Sequence, residues 1–550
     1  MRYLLITLCI LLVGFTGNYS VDGQTQRAVP KLVLGIVADP MGHDWINKYW
    51  EYLGPDGLKK LVEQGTSFEN TNLNHFLAGT GPSHASISTG TTPYQHGIIA
   101  DSWYDRLKKE EVSCTRDFLT RTIGSNSQAG KHSLKQLLTP TFGDALKGSV
   151  YPKSKVISIA LKPEAAMIMG GHLADGCFWF DTSSGNWVTS SVYSENLPSW
   201  VNNMNNRSRP DAAMLEDWDL YLSESNYVHC NPDDQEYEFG FFNNFKVFPY
   251  KLKKLKRESL NQDYEILMDI PAGNSLTTEM AISAFYNERL GLDSDPDLLL
   301  VSYSAISGLV NRFGPESREV MDAIIRLDTE ITRLLLAIEE RIGNENLLVF
   351  LTATHGSSWN VDYSRNIGLP AGRFRSLNAI ALTNSYLSAL YGDNQWIENY
   401  INQQVYLDQT LVDQKELSLP EIQEKTARFL NQFDGVASAL PADKMINASI
   451  INHQGSIIQN SFYPSRSGDI LIILKPGWIE DGEQVADYQS PYSYDTRVPL
   501  IWWGMNIPSQ KIQDKTGIQD IAATIIQILK ISYPTSGTGR SLFPQLQQNQ

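Results

Sequence analysis

The chain has 550 residues, of which 42% are hydrophobic and 19% charged, enough apolar matter for a large core and too much for global disorder. Lys plus Arg number 45 against 61 Asp plus Glu, and the resulting net charge of −16 excludes a nucleic-acid track, because such binding rests on neutralising phosphates. Four cysteines exclude a disulfide-dense scaffold and a cysteine-rich zinc ribbon.

Arg2, the apolar run Leu4 to Phe15 and the small and polar residues after it predict a signal peptide over residues 1–23, with Val21-Asp22-Gly23 as the cleavage site. That run is too short to span a bilayer, and no later segment has the length of a transmembrane helix. The mature chain, 24–550, is therefore expected to be soluble and periplasmic or secreted. It keeps Cys114, Cys177 and Cys230, which allow one disulfide at most, with the pairing left open.

Lys31 to Ala38 is a continuous apolar run ending at Asp39-Pro40, the pattern of a buried parallel strand. Lys155 to Leu161, Leu298 to Ser304, Leu347 to Thr352, Ile470 to Leu474 and Pro499 to Trp503 carry the same pattern. Between two of them, Glu316 to Ile342 places Val320, Ile324, Leu327, Ile331, Leu334, Leu335 and Ile338 on one helical face, and Gly343 supplies the stop. Strands alternating with such helices predict an α/β domain with a largely parallel sheet flanked by helices. Ligands of such sheets bind beyond the carboxyl ends of the strands, which draws attention to Asp39, Lys162, Ser307, Thr354 and His355.

Two stretches break this rhythm, 172–272 (rich in Trp, Tyr, Phe and Asn) and 365–465 (rich in Gln, Asn and Leu), and both are expected to be insertions on the one domain. Lys251 to Arg257 carries five positive charges in seven residues; on so acidic a chain this predicts a solvated helix face.

Thr80-Gly-Pro-Ser-His-Ala-Ser-Ile-Ser-Thr-Gly90 predicts a helix capped by Thr80, whose hydroxyl would face unpaired N–H groups where a phosphoryl group can sit. With Asp39 before it and Tyr94-Gln-His-Gly-Ile-Ile-Ala-Asp-Ser-Trp-Tyr-Asp105 after it, the chain resembles the alkaline phosphatase superfamily. The resemblance is nearest to bacterial phosphate-irrepressible alkaline phosphatases, relatives of nucleotide pyrophosphatase/phosphodiesterases. It runs from about Lys31 to Leu546 through Gly171-His172, the aromatic hairpin Phe178 to Trp187, Pro271-Ala-Gly-Asn274, Phe313-Gly-Pro315, Ser465 to Asp469 and Tyr494 to Pro499.

The resemblance implies hydrolysis of phosphate esters by two zinc ions and a Thr or Ser nucleophile. On that pattern Asp39 and His355 stand at ligand positions and Thr80 at the nucleophile. Four further ligand positions hold Ser307, Asn311, Thr354 and Tyr488, none a carboxylate or an imidazole. The histidine census agrees whatever the register, because no His lies between His229 and His355 and none after His453. The family's phosphate-binding Asn and Lys-x-Arg positions hold Asp101 and Lys162-Pro163-Glu164, so two carboxylates stand where a dianion would bind. A like charge about 4 Å away costs on the order of 4 kcal/mol at an effective dielectric near 20.

The expectation is an extracytoplasmic pseudophosphatase without full zinc occupancy, using its cleft, aromatic hairpin or insertions to bind a small ligand or a protein. The alternative is a phosphoric ester hydrolase, acting on a diester or monoester, with Thr80 as nucleophile and one residual zinc at Asp39, Thr80 and His355. A third reading makes Asp101, Glu164 and His355 acid–base groups of a non-phosphate enzyme.

Overall fold

The computed structural model describes residues 29–547 apart from 243, 260, 262 and 448–452; the segment expected to be a signal peptide lies outside the described residues. Ten strands form the central sheet: β1 (Leu32–Ala38), β2 (Thr66–Phe68), β3 (Thr122–Ile123), β4 (Val156–Ala160), β5 (Gly176–Asp181), β6 (Asn186–Ser190), β7 (Asp297–Tyr303), β8 (Leu347–Ala353), β9 (Leu500–Gly504) and β10 (Gln510–Ile512). Their spatial order is β10-β2-β9-β8-β1-β7-β4-β5-β6-β3. The middle five, β8 to β5 in that order, run parallel. Every residue of β1, β4, β7 and β8 is buried, as expected of strands covered on both faces. At Gly35 on β1 a Cβ would come 2.5 Å from the Phe350 ring and 2.8 Å from Leu300, so only glycine lets those neighbours close over the strand.

Five of the six apolar runs lie in this sheet, but Pro499 to Trp503 enters it antiparallel to β8. Ile470–Leu474 lies elsewhere. It joins Ile397–Ile401, Gln404–Leu407 and Val436–Pro441 in a separate antiparallel sheet with its own core around Trp396, Leu430 and Ile472. An apolar run records burial, not the direction of its partner, which is why these two differ from the expectation.

The helix Arg318–Ile342 has the apolar face read from its spacing; the Ser317 hydroxyl caps it by accepting from the Val320 N–H, and Gly343 ends it at φ 74°. β5 and β6 form the aromatic hairpin, and Phe178, Trp179, Phe180 and Trp187 are all buried. Those rings are core, not the contact surface considered from sequence. Leu252 and Leu255 anchor the basic helix Leu252–Glu258 while Lys253, Lys254 and Arg257 face solvent. Cys114, Cys177 and Cys230 are free thiols. Among the described residues no helix is long and apolar enough to cross a membrane.

Candidate functional site

In register, Ala38 of β1 lies beside Tyr303 of β7 and Ala353 of β8, while Ser302 lies beside Ala160 of β4. The residues that follow these strand ends are thereby brought to one edge of the sheet. Asp39 is the centre of the group they form. Its Oδ2 accepts from the Thr80 hydroxyl at 2.8 Å and from the Lys162 ammonium at 2.9 Å. Its Oδ1 accepts from the Thr354 hydroxyl at 2.7 Å and has His355 Nε2 3.5 Å away.

Thr80 is the first residue of α1 (Thr80–Thr89), with Gly79 at the cap. The expected Thr80 cap does not form, because the hydroxyl is spent on Asp39 and also accepts from Lys162 Nζ at 3.0 Å. Lys162 precedes α2 (Pro163–Gly170), whose Pro163 suits a first helical turn. The ion pair it makes is with Asp39.

Burial alone would raise the Asp39 pKa, but the charge of Lys162 and then the contact with His355 outweigh it and hold the carboxyl well below its ordinary range. Burial also opposes the charge on Lys162, yet Asp39 and then Glu164 keep its pKa above the usual lysine value. His84 in α1, wedged between the Thr80 carbonyl at 2.6 Å and the Ser302 hydroxyl at 2.9 Å, is pushed down to about 4 by burial and stays neutral.

Asp101 and Glu164 behave differently. Asp101 Oδ1 accepts from the Gly81 N–H at 2.5 Å, and a Cβ on Gly81 would come within 3.0 Å of both that oxygen and Cys114 Sγ. Although Asp101 keeps an exposed face, loss of water around its carboxyl raises its pKa. Glu164, in the first turn of α2, is pushed up to about 7, first by burial and then by the charge of Asp101.

The other positions that the resemblance reads as ligand sites hold no carboxylate or imidazole. Ser307 opens α3 (Ser307–Phe313), and Asn311 within it accepts the Val485 N–H through its backbone carbonyl at 2.9 Å. Tyr488 stacks on His355 with ring centroids 3.9 Å apart and planes 21° from parallel. His355 Nδ1 donates to the Gly356 carbonyl at 2.7 Å, so in the neutral ring Nε2 carries the lone pair facing Asp39. Among the described residues, no group of three or more His, Cys, Asp or Glu side chains is arranged to hold a metal ion. Donors of this kind do not fit a pair of zinc ions, which need about six Asp and His ligands.

Two carboxyls near this group were missed from sequence. Asp269 lies 3.5 Å from Arg312 and within the field of Lys162, and Asp487 accepts from the Tyr488 N–H at 2.7 Å; burial raises both. Each sits in a connecting segment beside a stretch that carried the resemblance, Pro271 to Asn274 and Tyr488. That adjacency was the only available signal.

A ten-stranded sheet with these residues at its carboxyl edge defines an alkaline phosphatase-superfamily protein. A crystal structure of the alkaline phosphatase PafA superposes with a TM-score of 0.89 at 30% identity, covering 94% of this chain and 98% of that one. The type I phosphodiesterase / nucleotide pyrophosphatase profile matches residues 33–490, and the chain belongs to that family. It is 31% identical over 529 residues to alkaline phosphatase PafA of Elizabethkingia meningoseptica, covering 94% of this chain and 95% of that one. It is 30% identical over 549 residues to alkaline phosphatase PhoV of Synechococcus elongatus, covering 98% of both.

Proposed function

We propose that this chain is a pseudophosphatase, a phosphatase fold that serves an extracytoplasmic binding or accessory role without two-zinc hydrolysis. The observation that carries the reading is the Lys162 ammonium, which bonds both Asp39 and the Thr80 hydroxyl. A lysine cation there neutralises the carboxylate and directs its donors at the hydroxyl oxygen. Thr80 is then a hydroxyl with its proton committed to Asp39 and an oxygen lone pair committed to Lys162.

Neither of the two groups bonded to the Thr80 hydroxyl takes that proton to a useful extent. A carboxyl held well below its ordinary pKa is a weak base, and Lys162 stays protonated. Ser307, Asn311 and Tyr488 add no anionic or imidazole donor. Asp101 and Glu164 oppose a phosphate dianion wherever they are ionised, because their charge has the same sign as the phosphate, although burial raises the pKa of both. In the same reading, residues 1–23 are a signal peptide, 24–550 one domain with insertions at about 172–272 and 365–465, and the product is periplasmic or secreted.

One observation favours a second reading. The His355 Nε2 lone pair, Asp39 Oδ1 3.5 Å away and Thr80 are the donors left for a single cation. The test is zinc content of the mature protein, purified without chelator and offered micromolar zinc, measured by elemental mass spectrometry. Less than about 0.1 zinc per chain is expected, with phosphodiester and phosphomonoester hydrolysis equal in wild type and Thr80→Ala. One zinc per chain that is lost in both Asp39→Ala and His355→Ala, with hydrolysis abolished by Thr80→Ala, defeats the pseudophosphatase reading in favour of the single-metal hydrolase.

A further inference from the structure

A separate cavity of about 360 Å³ opens between Trp45, the 228–231 loop and the 359–363 segment; Asp39, Thr80 and Lys162 are not among its lining residues. Its volume falls in the range of small-ligand sites. Glu316 lines it and is only 7% exposed. One oxygen of this carboxylate, Oε2, accepts from the Asn360 N–H at 3.3 Å, whereas Oε1 is buried with no hydrogen-bond partner. A buried acceptor without a donor has lost water and gained nothing, so a ligand that brings an N–H or O–H removes a standing penalty.

The walls narrow the choice of donor. Trp359 lines the cavity with half of its surface exposed, its ring centroid 6.2 Å from that of Tyr363, and Trp45 lies buried beside them. Asp44 adds a second carboxylate at an exposed position. Lys48 is the only lysine or arginine in the lining, and its ammonium lies over the Tyr49 ring, 5.1 Å from the centroid, without an ion pair to Glu316. Two carboxylates against one lysine, with aromatic faces alongside, favour a cation and oppose a phosphate or carboxylate.

We infer that this cavity binds a small primary alkylammonium ligand, which donates an N–H to Glu316 and places its charge against the aromatic rings. A quaternary ammonium satisfies the rings but leaves Oε1 without a donor. A neutral alcohol or sugar satisfies Oε1 but gains nothing from the charge. The inference does not rest on the metal-free reading of the other site: zinc content decides that one and leaves this one untouched.

The test is titration of the full mature protein with n-butylamine at pH 7.5, followed by tryptophan fluorescence and calorimetry, with n-butanol and tetramethylammonium as comparators. Saturable binding of butylamine is expected, with each comparator at least about tenfold weaker. Trp359→Ala, at a half-exposed position that folding tolerates, is expected to weaken butylamine about tenfold, and Glu316→Gln by at least as much. Nα-acetyl-lysine amide, which offers the same ammonium on a blocked residue, separates the sources: binding equal to butylamine assigns a lysine side chain, and binding of butylamine alone assigns a free amine. No saturation by butylamine up to about 50 mM, equal binding of butanol, or affinity unchanged in Trp359→Ala overturns the proposal.

Discussion

Two carboxylate environments lie side by side at the edge of the sheet and have opposite electrostatics. Asp39 is almost fully buried, yet it is surrounded by donors from Thr80, Lys162 and Thr354, and its charged form is stabilised. Asp101 and Glu164 reach water more readily, yet neither forms an ion pair with Lys162, burial raises the pKa of both, and the charge of Asp101 makes Glu164 harder still to ionise. Exposure therefore does not decide which carboxyl is comfortable; partners do. One lysine serves one side of the cleft and leaves the other side under-compensated.

The largest effect is expected from removing that lysine. Lys162→Met strands a buried carboxylate, and breaking such a pair from one side costs about 3 kcal/mol or more. Guanidinium unfolding should show that loss, and Asp39→Asn combined with Lys162→Met should recover most of it, because the double variant leaves no unpaired charge. Additive effects, with the double variant less stable than Lys162→Met, would mean that Asp39 depends on Thr80 and Thr354 and not on the ammonium.

The other side of the cleft should respond in affinity. Replacing its two carboxylates, as Asp101→Asn with Glu164→Arg, removes the repulsion and adds a planar donor for phosphate oxygens. Inorganic phosphate is expected to bind this variant about 100-fold more tightly than wild type by calorimetry, a change of about 2.7 kcal/mol. Equal affinity in the two proteins would show that the acidic pair does not control anion access.

Much of this comparison was legible before any coordinates, and the part that was not has a physical reason. The strands β1, β4, β7 and β8 announced themselves as uninterrupted apolar runs, and residues directly after strand ends had to meet at one edge. Asp39, Thr80, Lys162 and His355 do meet there. What the chain order did not encode was the choice among partners. Lys162 lies two residues from Glu164 and 123 from Asp39, yet the carboxylate it bonds is the one distant in sequence. Tyr488 over His355 is a similar case, since a stack between residues 133 positions apart leaves no local pattern. The same limit hid Glu316, whose unpartnered oxygen becomes visible only once its surroundings are known.

The smallest expected effect lies in the pH dependence of stability, where the two environments should differ in sign. Glu164 has a folded-state pKa of about 7 against an ordinary 4.5, so the unfolded chain releases this proton first. Its contribution is fully present below about pH 4.5 and is lost as pH rises through 7. Partial contact with water limits the size to about 1–2 kcal/mol. Asp39, held below its ordinary 3.8, contributes stability that is present above that value and is lost as pH falls through its lower folded pKa. Guanidinium midpoints at pH 5 and pH 8 isolate the first effect when wild type is compared with Glu164→Gln, because every other titrating group cancels in the difference. The variant should lose about 1–2 kcal/mol less than wild type between the two pH values. An unchanged difference would remove Glu164 from the uncompensated side of the cleft and leave Asp101 alone to account for its opposition to anions.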